Sequence, residues 1–465
     1  MALALLRKES LDIYNRLHSV AEDITFVNEV HRTYPLLPIL PNLRCGAWYT
    51  DPSIVSDIAA YFKSTDGHFG NWSFNLRRPN LHLLPLAVEH NGMILVDSTR
   101  AGKRMPDALS KTVPIWCAVL NRAVRLRQGL LDPDSWDTRL YTPPGTVSAQ
   151  EAQQIEEHLD AWARSLADSS YALPHLPHPL RPLWLTPSTS VFPRLPEGFI
   201  LVLCVSASKR VDAGIERRQA GFAYVQGSGD DHELWGKGLT PSIFWAHKDR
   251  LLNCTRAELP ALVDELVTQD RIHRAREVRN DWTAPPVPIR QVSGALLICR
   301  TSDLPTTLPD ASPPAEGDSA TMAYVIITND IAEASDSEPN VLRLRTPPGK
   351  KGQLHFLEIV LPQSVSFIGS ALRAGRKVCI ACDEGTDTSV GVALVALQRF
   401  FNDEGRLVPD GKSTADKQTI RTRLQWIISS QARANPSRTT LKRVNEFLLT
   451  SPSFRSFPTN SLPSP

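Results

Sequence analysis

The stretch CIACDEGTDTSVGVALVALQRF, residues 379–400, constrains the fold of this chain more than any other. A short apolar run leads into a polar loop around Gly385, and a second apolar run of helical length follows. A buried strand that feeds a buried helix through a tight turn is a building block of α/β folds. Such a turn aims backbone N–H groups inward, and the helix N-terminus adds partial positive charge. The result suits an anion without needing a basic side chain.

The surrounding segments extend that reading. Residues 353–400 resemble the dual-specificity phosphatase fold in order: LHFLEIVLP, the helix SVSFIGSALRAG, the strand KVCIAC, the loop and its helix. ANPSRTTLKRVNEFLL stands where that fold has its last helix. The chemistry of that family needs a cysteine thiolate and an arginine six residues on. Here Cys382 is followed at that spacing by Thr388. Asp383 and Asp387 put negative charge where a reactive thiolate needs positive charge. The loop is expected to hold a phosphate through Cys382, Gly385, Thr386, Thr388 and Ser389, with its carboxylates free for another reaction. A purely structural loop is the alternative.

With 465 residues the chain exceeds one typical core, so more than one domain is expected. GALLICR and MAYVIITND are apolar enough to share a sheet across the Pro-, Ser- and Asp-rich segment SDLPTTLPDASPPAEGDSA. The boundary is therefore placed near 285. This gives an N-terminal mixed α/β domain over 1–284, a phosphatase-like α/β domain over 285–450, and a loose tail over 451–465. In the first domain, a helix with Asp51 as N-cap is expected over DPSIVSDIAAYF. Strands are expected at MILV and GFILVLCVSAS. Segment 218–254 reads as a strand, a polar turn and an aromatic return.

Composition limits the class. At 42% hydrophobic and 22% charged, the chain is globular in character. No apolar run approaches the roughly 20 residues of a membrane span, so no membrane partner is expected. The seven cysteines are scattered, and C-x-x-C at 379–382 has no second pair to complete a zinc site. Free thiols in a reducing compartment, cytoplasm or nucleus, are the expectation. The net charge of +2 announces no polyanion partner but can hide local patches.

Four further segments can carry chemistry. DSTRAGKRMPDALSK, residues 97–111, gathers Arg100, Lys103, Arg104 and Lys111 between a strand and a helix, with Asp97 and Asp107 among them. Such a loop suits phosphate, or is simply a solvated turn. QGSGDDHELW offers Asp230 and Asp231 as Mg²⁺ carboxylates acting with a substrate phosphate, or as turn residues. STDGHFGNWSFNLRRPN sets Phe69, Trp72 and Phe74 before Arg77 and Arg78, a pattern that stacks bases and grips phosphates or anchors a core. Residues 420–445 contain no acid but include Arg421, Arg423, Arg433, Arg438, Lys442 and Arg443. That is an RNA-suited patch, or the polar face of two helices.

Together YFKSTDGHFGNWSFNLRRPNLHLLPL, DSTRAGKRMPDALSKTVPIWC, YVQGSGDDHELW and CDEGTDTS closely resemble the initiator tRNA phosphoribosyl transferase family. The resemblance implies transfer of a 5-phosphoribosyl group from phosphoribosyl pyrophosphate to the 2'-hydroxyl of adenosine 64 in initiator methionine tRNA. That mark keeps the tRNA out of elongation. Mg²⁺ is then expected with the pyrophosphate. Asp97, Asp383 or Asp387 is expected to orient or deprotonate the hydroxyl. Arg77, Arg78, Arg421, Arg438, Lys442 and Arg443 are expected to meet the tRNA. The rival readings are a phosphatase-fold hydrolase acting on RNA and a non-catalytic tRNA-binding protein.

Overall fold

The computed structural model describes residues 2–450 except 44, 101, 130–135, 213–214, 277–281, 306–307, 309–321, 330–339, 348 and 409–414. The tail expected over 451–465 lies outside the described residues. The chain forms two compact units, 1–277 and 278–465. The junction falls a few residues ahead of 285, because Trp282 stacks on Tyr324 of the second unit at 6.3 Å.

The first unit opens with helices α1 (Ala2–Leu11) and α2 (Ile13–Thr33). Asp12 caps α2 by accepting from the Asn15 N–H at 2.9 Å, at the break between the two helices. Strands β1 (Ile39–Pro41), β2 (Gly92–Asp97), β3 (Leu180–Leu185) and β4 (Ile200–Ser206) form a parallel sheet in the order β1-β2-β4-β3. Helices α3 (Leu84–Glu89), α4 (Val113–Gln128) and α5 (Ala149–Ala167) lie between its strands in the chain. A small ribbon of β5 (Ile215–Arg217) and β6 (Ala223–Val225) follows, then α6 (Pro241–Ala246), α7 (Lys248–Asn253) and α8 (Leu259–Arg276).

Alternation along the strands divides the two faces. Ile94 and Val96 of β2, with Leu203 and Val205 of β4, share one core with Leu17, Val20 and Ile24 of α2 and with Phe244, Val263 and Leu266. Val119, Leu120 and Val124 of α4 are also buried. The side-chain amide of Asn121 on α4 brackets Leu180 of β3, accepting from its N–H at 2.8 Å and donating to its C=O at 2.9 Å.

DPSIVSDIAAYF is not a helix. Its backbone runs beside β1, with the Ser56 N–H donating to the Ile39 C=O at 2.9 Å and the Ala60 N–H to the Pro41 C=O at 3.0 Å. Isolated bridges pair Ile39 with Val55 and Asn42 with Ala60. The edge strand's unpaired groups outweigh the local helical pattern. The aromatic return after the 226–235 turn is helical, as α6 and α7.

The second unit has strands β7 (Val287–Pro288), β8 (Leu296–Arg300), β9 (Met322–Thr328), β10 (Val341–Arg345) and β11 (Lys377–Cys382) in the order β10-β9-β11-β8-β7. All pairs are parallel except β7 with β8. Helices α9 (Gly349–His355), α10 (Leu361–Arg373), α11 (Thr388–Phe400), α12 (Lys417–Ser430) and α13 (Arg438–Leu449) surround it. The helical stretch Lys351–Arg373 is, by length and composition, long and apolar enough to cross a membrane, contrary to the reading from apolar runs. Phe356, Val360, Leu361, Ile368 and Leu372 within it are buried inside the unit, as in a core helix.

Asn121→Leu removes both partners of Leu180 and strands two buried groups. A loss of about 1–3 kcal/mol for each is expected in the free energy of urea unfolding.

Candidate functional site

In parallel sheets, ligands meet the carboxyl ends of strands. In the first unit that edge carries Asp97 and Ser98 after β2, and Ser206 to Ser208 after β4. Asp97 is fully buried. Its Oδ2 accepts from Asn42 Nδ2 at 2.9 Å, and its Oδ1 accepts from Cys45 Sγ at 3.0 Å and the Ser98 N–H at 2.8 Å. A carboxylate so enclosed must satisfy its lone pairs inside the protein. The expectation of Asp97 as a base facing the hydroxyl is therefore corrected: it anchors the turn after β1 to the start of the 98–107 loop.

Beside it runs a buried polar chain with no counterpart in the sequence reading. The Ser98 and Ser208 hydroxyl oxygens are 2.6 Å apart, and Ser208 donates to Asp23 Oδ2 at 2.6 Å. Tyr224 donates to Asp23 Oδ1 at 2.7 Å. Burial pushes the Asp23 carboxyl up from 3.8 to about 8, because these hydroxyls stabilise its charge less than lost water destabilises it. The Gly227 N–H donates to Ser208 Oγ at 3.1 Å. With φ at +70°, Gly227 lies so close to the Thr99 carbonyl that a Cβ there would overlap it. The Gln226 amide donates to the Lys103 C=O at 2.7 Å. The 98–107 loop and the 226–231 turn, found separately in the sequence, thus form one edge.

On that edge Arg100 and Arg104 are exposed. Lys103, half-exposed, meets Asp107 Oδ2 at 2.5 Å. Lys111 is buried and paired with Asp107 at 3.0 Å and Glu151 at 3.0 Å. Trp72 donates to the same Glu151 oxygen at 3.2 Å. Burial alone would raise Asp107, but hydrogen bonds from Lys103 and Lys111 outweigh it and hold the carboxyl below its usual range. Lys111 is thus committed to internal pairs, which corrects its assignment to phosphate.

Arg78 is likewise committed, with a side chain only 7% exposed and a bond to Asp66 at 2.9 Å, so it is corrected from tRNA contact to loop anchor. Arg77 is half-buried. Phe69 is 70% exposed and meets Trp72 edge-on at 5.4 Å, so the aromatic segment both anchors and presents a ring. Asp230 is half-buried and Asp231 exposed in the left-handed region, with the Asp231 N–H donating to Asp230 Oδ1 at 3.2 Å. Among the described residues no three His, Cys, Asp or Glu side chains group as a metal cage. Asp230 and Asp231 therefore do not make a closed protein metal site.

In the second unit the strand–turn–helix read from the sequence is present as β11, residues 383–387 and α11. Cys382 is buried, its Sγ 3.0 Å from the Oγ of the fully buried Ser389. Gly385 has φ +66°, and a Cβ there would sit 2.9 Å from the Cys299 carbonyl oxygen. Thr386 and Thr388 are half-buried at the start of α11. Asp383 is exposed, its oxygens accepting from the Asn329 N–H at 3.2 Å and Thr301 Oγ1 at 3.4 Å. Asp387 Oδ1 accepts from the Ser437 N–H at 2.9 Å, which ties the turn to the start of α13. Asp387 thus braces the turn.

The basic segment divides similarly. Arg421, Arg438 and Lys442 are exposed. Arg443 pairs with Glu446 at 2.7 Å, so the assigned tRNA contact is in part neutralised. Arg423 is buried, bonded to Asp403 at 2.7 Å and stacked on Trp426 at 4.0 Å. Arg300, absent from the sequence reading, ends β8 opposite Cys382. Its only sequence signal is a basic residue closing a predicted strand, which gains meaning once strand order is known.

Fold and sites define an α/β protein of two units, each with a polar turn system at the carboxyl edge of its sheet. Residues 6–268 match the family model described as the Rit1 N-terminal domain, and residues 340–448 match the Rit1 DUSP-like domain. The chain belongs to the Rit1 family, the one to which its motifs pointed. It is 32% identical to the tRNA A64-2'-O-ribosylphosphate transferase of Saccharomyces cerevisiae, over 96% of this chain and 93% of that protein. It is 35% identical to an uncharacterized protein of Schizosaccharomyces pombe over 94% of each. Among solved structures, human DUSP28 aligns with a TM-score of 0.24 and 15% identity, covering 37% of this chain and 97% of that one. DUSP15 aligns with a TM-score of 0.23 and 16% identity, covering 38% and 93%.

From about pH 4 to about pH 8 the folded protein keeps a proton on Asp23 that the unfolded chain releases. Folding stability therefore falls as pH rises through that window, by up to about 1.4 kcal/mol per pH unit from this group. Asp23→Asn should flatten that slope in urea melts taken across the window.

Proposed function

We propose that the protein transfers a 5-phosphoribosyl group from phosphoribosyl pyrophosphate to the ribose 2'-hydroxyl of adenosine 64 of initiator methionine tRNA, a mark against use in elongation. The observation that carries this reading is the likeness to the yeast transferase, which runs through both units at 32% identity over 96% of the chain. The free cysteines favour a reducing compartment, cytoplasm or nucleus.

In the reaction a bond forms between the 2'-oxygen and ribose C1. The C1–oxygen bond to pyrophosphate breaks, and pyrophosphate leaves with the electron pair. The hydroxyl proton passes to a base or to water. Such glycosyl transfers go through an oxocarbenium-like state, which needs a stabilised leaving group. Arg100 and Arg104 support a pyrophosphate site because they stay accessible on one loop, with the half-exposed Lys103, paired with Asp107, beside them. Mg²⁺, when bound with the donor, would neutralise the leaving charge, with Asp230 and Asp231 as its protein carboxylates. In the second unit's turn Asp383 is a carboxylate that stays accessible. Arg421, Arg438 and Lys442 suit backbone phosphates. The A-form major groove is too deep for side chains to read, so shape and 2'-hydroxyls guide recognition.

A thiol phosphatase is disfavoured, because Thr388 stands in the place of the arginine that its chemistry needs.

Donor labelled in its ribose should pass label to initiator tRNA, and none to a tRNA lacking the acceptor 2'-hydroxyl. Folded protein that binds tRNA yet transfers nothing would overturn the reading. Arg438→Glu with Lys442→Glu should weaken tRNA binding and lower the salt slope by roughly one for each phosphate no longer neutralised, leaving donor dependence alone. A filter-binding salt titration beside donor kinetics checks this.

A further inference from the structure

The turn of the second unit lacks an arginine of its own, yet two arginines reach its rim from outside. Arg300 ends β8, and its Cα pairs with that of Cys382 across the parallel register. Its Cγ would lie 3.1 Å from a Cβ built on Gly385, so the side chain runs along the turn. Arg433 lies between α12 and α13. Two residues later the Asn435 N–H donates to the Thr386 carbonyl at 2.9 Å, and the Ser437 N–H then donates to Asp387 Oδ1 at 2.9 Å. The segment bearing Arg433 is thus strapped along the far side of the turn.

Both arginines are exposed, and among the described residues neither forms an ion pair within 4.0 Å. Partial desolvation first, then the like charge of Arg300, pulls the Arg433 guanidinium below its ordinary value, against a smaller opposing pull from Asp303. Asp303 thus offsets only part of the effect on Arg433, and the acids of the turn itself have other partners. Asp383 faces the Asn329 N–H and Thr301, Asp387 faces the Ser437 N–H, and Glu384 accepts from Thr386 Oγ1 at 3.5 Å. Two like charges brought together with only partial compensation repel, and a bound anion converts that repulsion into attraction. Two guanidinium forks match the charge and oxygens of a phosphate dianion.

We propose that Arg300 and Arg433 form a two-arginine clamp over the Gly385 turn that holds the phosphate monoester of a pentose 5-phosphate. They supply from two neighbouring elements the charge that Thr388 does not. That the monoester is a pentose phosphate rests on the proposed transfer reaction. The competing source of the same anion is a phosphodiester of the RNA.

The test uses the full chain, wild type and Arg300→Gln with Arg433→Gln, and two probes in calorimetry: ribose 5-phosphate and an RNA oligonucleotide without terminal phosphate. The double variant should bind ribose 5-phosphate roughly tenfold or more weakly, with oligonucleotide affinity unchanged. Its unfolding midpoint should hold or rise, since a repulsion is removed, whereas a merely structural role predicts a fall. Arg300→Lys should restore only part of the binding, because charge returns without the fork. Equal ribose 5-phosphate affinity in wild type and variant, or a loss confined to the oligonucleotide, would overturn the clamp. These readouts need no turnover, so a failure of phosphoribosyl transfer would leave the clamp standing, and a failed clamp would leave the transfer reading standing.

Discussion

Parallel strand pairing is the constraint from which both sites follow. Neighbouring parallel strands cannot be joined by a tight hairpin, so the chain must leave the sheet and cross over before returning. Every carboxyl end then falls on one edge, where the connections begin. In the first unit that edge collects the 98–107 loop and the ends of β1 and β4. In the second it collects Arg300, Thr328 and Cys382 from adjacent strands β8, β9 and β11. The helices that complete the crossovers bury the sheets' apolar faces, and polar chemistry is confined to this rim.

On the rim, burial decides what each charge does. Lys111, Arg78 and Arg423 lose most of their water and are held by Asp107 and Glu151, Asp66 and Asp403. A buried cation must be paired, so these side chains order loops and have little charge to lend a ligand. Arg100, Arg104, Arg421, Arg438 and Lys442 stay in solvent and keep the freedom to meet phosphate. The same division separates Asp97, enclosed by Asn42, Cys45 and the Ser98 amide, from Asp383 at the surface. Asp23 is the extreme: a carboxyl with hydroxyl partners and no cation, raised toward the neutral form.

Much was legible in the sequence because it is local. Apolar runs of strand length marked β2, β4, β8, β9 and β11, and the turn before α11 showed itself through Gly385 and the apolar helix that follows. The family could be read because its motifs lie in those same turns. The helix expected at DPSIVSDIAAYF failed for a nonlocal reason, since its backbone is drawn onto the open edge of β1.

The sequence by itself determined the strands β2, β4, β8, β9 and β11, the turn before α11 and the family. Whether a given charge is free or committed was decided only by tertiary structure. Lys103 and Lys111 look alike in the chain, yet one is half-exposed and the other sealed between two carboxylates. Arg300 stands 82 residues before Cys382 and becomes its neighbour only through the pairing of β8 with β11. Desolvation and strand order are properties of the packed chain, and no local pattern of residues encodes them.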